Sequence, residues 1–207
     1  MTQVTTVVFD VGNVLIAWDP RNLYRKLIDD EAEIERFLAE VCTHDWNLDQ
    51  DRGGSTWAEA VAERVALFPE HEALIRAFDE RWPEMIPGAI EGSVAILHEL
   101  ADAGVPLYGI TNFSAEKYVL ARARFPFLDR FRDTVVSAHE RLLKPEPEIY
   151  RRLLRRNALA AGEAVFIDDA PKNVAGAEAV GMKAIHFRSP EDLRDRLIAL
   201  GLPLAAA

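Results

Sequence analysis

VVFDVGNVLI, residues 7–16, decides how the rest of the chain is read. Three apolar residues run into Asp10, and apolar residues resume after Gly12 and Asn13. A carboxylate closing a buried strand is costly unless it has partners. In open parallel sheets, ligands bind just outside the carboxyl ends of the strands. The stretch therefore predicts a buried strand that delivers Asp10 to a site, and other strands should end in the same way.

Four more short segments read as buried strands: 105–110, 134–137, 164–167 and 183–187, with the first spanning 4–9. All but the last run into polar or acidic residues. Helical patterns separate them. Residues 90–103 carry apolar side chains at helical spacing and stop at Gly104, and 171–180 stop before Gly181. Pro147 suits a first helical turn, and Ser189 with Asp192 reads as a capping box. Strands alternating with helices predict an α/β fold with a doubly wound parallel sheet. Residues 18–86 break the alternation. They show helix starts at Asp19-Pro20, Asp30, Thr56 (with Glu59) and Pro69 but no convincing strand. They are expected to form an inserted helical cap, with the core made of 1–17 and 87–207. HDWNLDQDRGG, residues 44–54, reads as a loop by composition, and 83–88 as the return hinge.

The polar strand ends assemble a short inventory: Asp10, Thr111 and Asn112, Lys144, Asp168 and Asp169, and Asn173. Carboxylates converging at ~4 Å repel by about 4 kcal/mol per pair at an effective dielectric near 20. A bound dication removes that cost, and oxygen-only ligands select a hard ion such as Mg²⁺. Asp10 is then a candidate nucleophile toward phosphorus, with Lys144 and the Thr111 hydroxyl sharing phosphoryl charge. Each residue alone has an ordinary structural use, as turn, helix cap or loop lysine; the signal is their order along the chain.

The chain resembles the haloacid dehalogenase-like hydrolase superfamily. The likeness rests on VVFDVGNVL, YGITN, LLKPEPEIY and FIDDAPKNVAGAEAVGM, in that order. Its wording is nearest to the C1-capped branch that contains alpha-D-glucose-1-phosphate phosphatase and the phosphatase domain of soluble epoxide hydrolase. The resemblance implies a Rossmann-like core and a magnesium-dependent phosphomonoesterase acting through an aspartyl-phosphate. Asp10 resembles the nucleophile and a metal ligand. Gly12 stands where a second ligand supplies its backbone carbonyl. Thr111 and Asn112 resemble the phosphate-binding pair, Lys144 the charge-neutralising lysine, Asp169 the direct metal ligand, Asp168 a ligand or its support, and Asn173 a supporting polar residue. The expected substrate is a small phosphorylated metabolite, a sugar phosphate first.

Position 12 departs from the pattern. Most phosphatases of the family carry there a second Asp that protonates the leaving oxygen. Gly12 favours a good leaving group, as in a sugar 1-phosphate, or a proton from the cap, where His44, Asp45, Asp49 and Asp51 are candidates. It also keeps open a metal-independent 2-haloacid dehalogenase and a non-catalytic phosphate binder.

A net charge of -10, with arginines interleaved among acids, argues against a nucleic-acid surface. No apolar run approaches a membrane span. The single Cys42 excludes an intramolecular disulfide, and with no secretory pattern at the start a cytoplasmic monomer or homodimer is expected. Trp18 or Trp46 is expected to line the cleft. Trp57 and Trp82 are expected as packing anchors, Arg52, His139 and His186 in structural or surface roles, and Cys42 as a small buried apolar residue.

Overall fold

The computed structural model describes residues 3–205; Met1, Thr2, Ala206 and Ala207, which the expected core includes, lie outside the described residues. Five parallel strands form the sheet: β1 Thr6–Phe9, β2 Leu107–Thr111, β3 Asp133–Val136, β4 Ala164–Asp168 and β5 Lys183–His186. Their order across the sheet is β3-β2-β1-β4-β5. Each matches an expected segment to within two residues at either end, the margin by which strand ends fray into loops.

Both faces of the sheet are covered. Val7 and Phe9 of β1 point into one apolar cluster, and Val8 between them points into another. The period of two that puts alternate side chains on opposite faces therefore builds two cores from one strand. Helices α6 Glu91–Asp102, α7 Ala115–Arg124 and α11 Pro190–Ala199 supply Ile96, Leu97, Leu100, Tyr118, Leu193 and Leu197 to the first. Helices α9 Pro147–Arg156 and α10 Pro171–Glu178 supply Ile149, Tyr150, Leu153 and Ala177 to the second. A short α8, Ser137–Glu140, follows β3.

The segment between β1 and β2 is helical up to α6, as expected. It holds α1 Arg21–Tyr24, α2 Glu31–Glu40, α3 His44–Arg52, α4 Trp57–Leu67 and α5 Glu72–Glu80, with 3₁₀ turns at Pro69–His71 and Trp82–Met85. Asp30 caps α2 through the Ala32 amide, and Thr56 and Glu59 form a full capping box on α4. The two connections to the sheet domain lie side by side. Ala17 donates its amide to Gly88, and Ile90 donates to Leu15. Among the described residues no helix is long and apolar enough to cross a membrane.

One element corrects the sequence reading. Residues 44–52, expected as a loop, form α3. Thr43 caps it by accepting from the Trp46 amide, and Gly53 ends it in the left-handed conformation at φ +79°. A Cβ at Gly53 would lie 2.5 Å from the Ala138 carbonyl oxygen, so the glycine also lets the end of α3 rest directly on α8.

Candidate active site

The order of the strands places the site. From β1 the chain winds outward through β2 and β3, then returns to the other side of β1 for β4 and β5. The reversal leaves a crevice beside the carboxyl end of the central strand. The Asp10 amide donates to Ile167, so Asp10 and Asp168 sit on adjacent strand ends.

Lys144 joins them. Its Nζ lies 2.7 Å from Asp10 Oδ1 and 2.6 Å from Asp168 Oδ2, with the ammonium almost wholly buried. Two amides hold this arrangement. Asn112 accepts from the Lys144 amide at 2.8 Å and donates to the Lys144 carbonyl at 3.2 Å, so its side chain clasps the lysine backbone. Asn173 Nδ2 donates to both oxygens of Asp168, at 2.9 and 3.1 Å, and the Ala170 amide adds a third donor. Asp168 is thereby committed to protein donors. Asp10 is not. Its Oδ1 accepts from the Val11 amide and Lys144, and its Oδ2 accepts no hydrogen bond among the described residues.

The charges do not balance without a further cation. Asp10, Asp168 and Asp169 each offer an oxygen within 4.8 Å of the others, against one buried lysine. Burial pushes the Asp10 carboxyl up to about 7; Lys144 opposes this, and Asp168 and Asp169 add to it. Asp169 is likewise raised, first by burial and then by Asp168. Lys144 is pulled down by burial, yet Asp10 and Asp168 together hold it above the ordinary lysine value. Asn173 Oδ1 is buried and accepts no hydrogen bond from any described residue, and the Gly12 carbonyl accepts none. An uncommitted Asp10 oxygen, the half-buried Asp169, a spare backbone carbonyl and an acceptor awaiting a donor form an all-oxygen set suited to a hard, hydrated dication.

Above this cluster lies a cavity of about 230 Å³. Asp10, Gly12, Asn112, Lys144, Asp169 and Asn173 line it. Thr111, which ends β2, does not: it is 1% exposed, behind a wall made there by Asn112, Phe113 and Ser114. Asp168 is also behind the wall, fully buried. The roof comes from α3, whose His44, Asn47, Leu48 and Asp51 face the cavity at i, i+3, i+4 and i+7. Asp45 and Asp49 are exposed and do not line it. Trp18 lines the cavity and Trp46 does not; Trp46 packs edge-on against Trp57 at 5.5 Å. Trp57 and Trp82 reach the wall despite deep burial. Arg52 pairs with Glu146 at the surface, and His186 contacts the Asp169 carbonyl.

Sequence reading missed Lys117. This buried cation faces the cavity, pairs with Asp79, and lies over the rings of Trp57 and Trp82 at 5.1 and 5.9 Å. Nothing in its local sequence marks it, because its partners come from the distant α4 and α5 region. Ser114 also went unnoticed. It caps α7 and accepts from Trp57 Nε1 at 2.8 Å, tying α4 to the sheet domain.

Comparison with known proteins places the chain in a family. The chain is 27% identical over 197 residues to a sesquiterpene phosphatase of Aspergillus oryzae, covering 90% of this chain and 91% of that protein. It is 26% identical over 176 residues to a glyceraldehyde 3-phosphate phosphatase of Pyrococcus abyssi, covering 76% and 74%. A haloacid dehalogenase family enzyme of Bacteroides thetaiotaomicron, 21% identical, has the same fold, with a TM-score of 0.77 over 95% of this chain and 99% of that one. The same enzyme has been solved with magnesium and inorganic phosphate. The model of the haloacid dehalogenase-like hydrolases matches residues 4–181, so the chain belongs to that family.

Proposed function

We infer that the chain is a magnesium-dependent phosphomonoesterase acting on small phosphorylated metabolites, with residues 18–86 closing as a cap over a core of 1–17 and 87–207. The observation that carries this reading is the buried Asp10–Lys144–Asp168 arrangement beside Asp169, in which one oxygen of Asp10 is free of protein donors. Asp10 is the nucleophile. Its carboxylate attacks phosphorus and gives an aspartyl-phosphate, which water then hydrolyses. Lys144 holds the attacking carboxylate in place and offsets negative charge as the phosphoryl group arrives. Asn112 fixes Lys144, and Asp168 aligns both Lys144 and Asn173. Asp10, Asp169 and the Gly12 carbonyl would hold magnesium, with Asn173 accepting from a ligand water. Magnesium, when bound, offsets the carboxylate charges and polarises the phosphoryl oxygens.

The phosphatase names of the two relatives support this reading over dehalogenation, as does an acid cluster that a metal-free enzyme would have to hold at a cost. Sugar phosphates come first among substrates, and sugar 1-phosphates in particular, because an anomeric oxygen leaves more readily than an ordinary alcohol. The lone buried thiol of Cys42 suits a cytoplasmic setting for such metabolites. The test is phosphate release from a panel of sugar phosphates, nucleotides and p-nitrophenyl phosphate, with magnesium and with a chelator. Magnesium-dependent release that Asp10→Asn abolishes, in a variant that still folds, is expected. Parent-rate hydrolysis by Asp10→Asn overturns the assignment, and chelator-insensitive chloride release from 2-chloropropionate overturns the reaction class.

A further inference from the structure

Gly12 leaves the reaction without the acid that most phosphatases of the family carry two residues past their nucleophile. The backbone does not demand glycine there. Asn13, not Gly12, takes the left-handed conformation of the turn, at φ 54°. A Cβ built on Gly12 meets nothing within 4 Å. The position is therefore open space in the cavity wall, and a proton for the leaving group has to come from elsewhere.

We propose that Asp51, on the cap helix α3, is the general acid and base of this site. Among the four candidate proton donors His44, Asp45, Asp49 and Asp51, helical geometry selects two. Asp45 and Asp49 face solvent, while His44 and Asp51 lie two turns apart on the face that roofs the cavity. His44 is exposed in the first turn. Asp51 sits at the cavity end of the helix, where three contacts pin it. Asn47 Nδ2 donates to its Oδ2 at 3.0 Å, the Ser114 amide donates to its carboxyl, and Ser137 Oγ donates to its carbonyl at 2.5 Å. The Ser137 contact fixes the backbone of this turn against the sheet domain and the Ser114 amide ties the carboxyl to it, so Asp51 keeps a fixed place relative to Asp10.

The electrostatics suit the task. Burial pushes the Asp51 carboxyl up to about 7, against the opposing pull of the Ser114 amide, Lys144 and Asn47. A group poised near neutrality can both give and take a proton. The charged groups that share its cavity are His44 on its own helix, Asp10, Lys117, Lys144, Asp169 and Lys172; α8 offers it only the Ser137 hydroxyl.

The proposal rests on the phosphatase reading, and its proton balance is complete. As the Asp10 oxygen–phosphorus bond forms and the ester oxygen–phosphorus bond breaks, the Asp51 proton passes to that ester oxygen and a neutral alcohol leaves. The Asp51 carboxylate then takes a proton from the water whose oxygen attacks the aspartyl-phosphate. Phosphate departs, and both aspartates return to their starting states.

The experiment compares kcat/KM for an alkyl phosphate and for p-nitrophenyl phosphate, whose leaving group needs no proton. Asp51→Asn should lower the ratio of alkyl to p-nitrophenyl activity by about 10²–10⁴-fold. Adding Gly12→Asp to that variant should recover much of the lost ratio, because the new carboxylate has room at position 12. In the unmodified enzyme the acid form is required, so alkyl phosphate turnover should fall as pH rises through about 7. That limb should be weak or absent with p-nitrophenyl phosphate. An unchanged ratio in Asp51→Asn, or in the unmodified enzyme the same basic limb with both esters, makes Asp51 a latch between cap and core and overturns the proposal. If the unmodified enzyme cleaves neither ester with magnesium, the phosphatase reading itself fails, an outcome distinct from both.

Discussion

Lys144 is the residue on which the site's geometry turns, since it contacts both Asp10 and Asp168 and is held by Asn112. Replacing one member of a buried ionic group leaves its partners uncompensated, at about 3–5 kcal/mol. Lys144→Met should therefore lose roughly that much stability at pH 8 in urea unfolding. The loss should shrink toward pH 5, because Asp10, already raised to about 7, takes up a proton and its buried charge disappears. Activity should fall by at least about 10²–10³-fold at every pH, as expected when a charged stabiliser of the transferring group is removed. At this scale the sequence was informative about Asp10, Lys144, Asp169 and Asn173, because each follows a strand whose direction sets where its end lies. It was uninformative about Lys117, whose partners Asp79, Trp57 and Trp82 meet it only through tertiary packing. Thr111 was placed correctly at the end of β2, but a strand end does not reveal whether its side chain reaches the cavity.

Among the elements, α3 shows best why part of the site stayed hidden. Its buried residues are only Trp46 and Gln50, and its inner face is turned to a polar cavity rather than to an apolar core. A helix packed in this way shows no apolar stripe, so its Asp, Asn and Gly content reads as loop. The usable signals were Thr43 as a cap, Gly53 as a stop, and the spacing of 44, 47, 48 and 51. The strands and the capped helices α2 and α4 were legible because burial or a cap writes a local pattern. The seat of α3 on α8 supplies a test. Gly53→Ala demands a left-handed alanine, at about 1–2 kcal/mol, and forces its Cβ against Ala138. Thermal unfolding should show a loss of at least that size. Because the helix end must shift, kcat/KM should fall further than the lost stability accounts for at a temperature where the variant is fully folded.

For the whole molecule, the governing fact is the central position of β1, with β2 on one side and β4 on the other. That topology brings residues 10, 112, 144, 168, 169 and 173 to one edge, although 163 positions separate the first from the last. The alternation of strands and helices made the layers legible, but alternation does not reveal how tightly the cap closes over them. That closure depends on contacts such as Trp57 to Ser114, Arg52 to Glu146 and Lys117 to Asp79, each joining segments remote in sequence. Cap and edge together enclose a cavity into which Asp10 presents an uncommitted carboxylate oxygen from the end of the central strand. The most direct test of that claim is to quench the enzyme during turnover with magnesium, reduce it with borohydride, and sequence its peptides by mass spectrometry. An aspartyl-phosphate at Asp10 is reduced to homoserine at that position, in magnesium-containing samples with substrate and not in samples lacking either. Active turnover that leaves Asp10 unmodified and places the reducible acyl group on another residue would contradict the account.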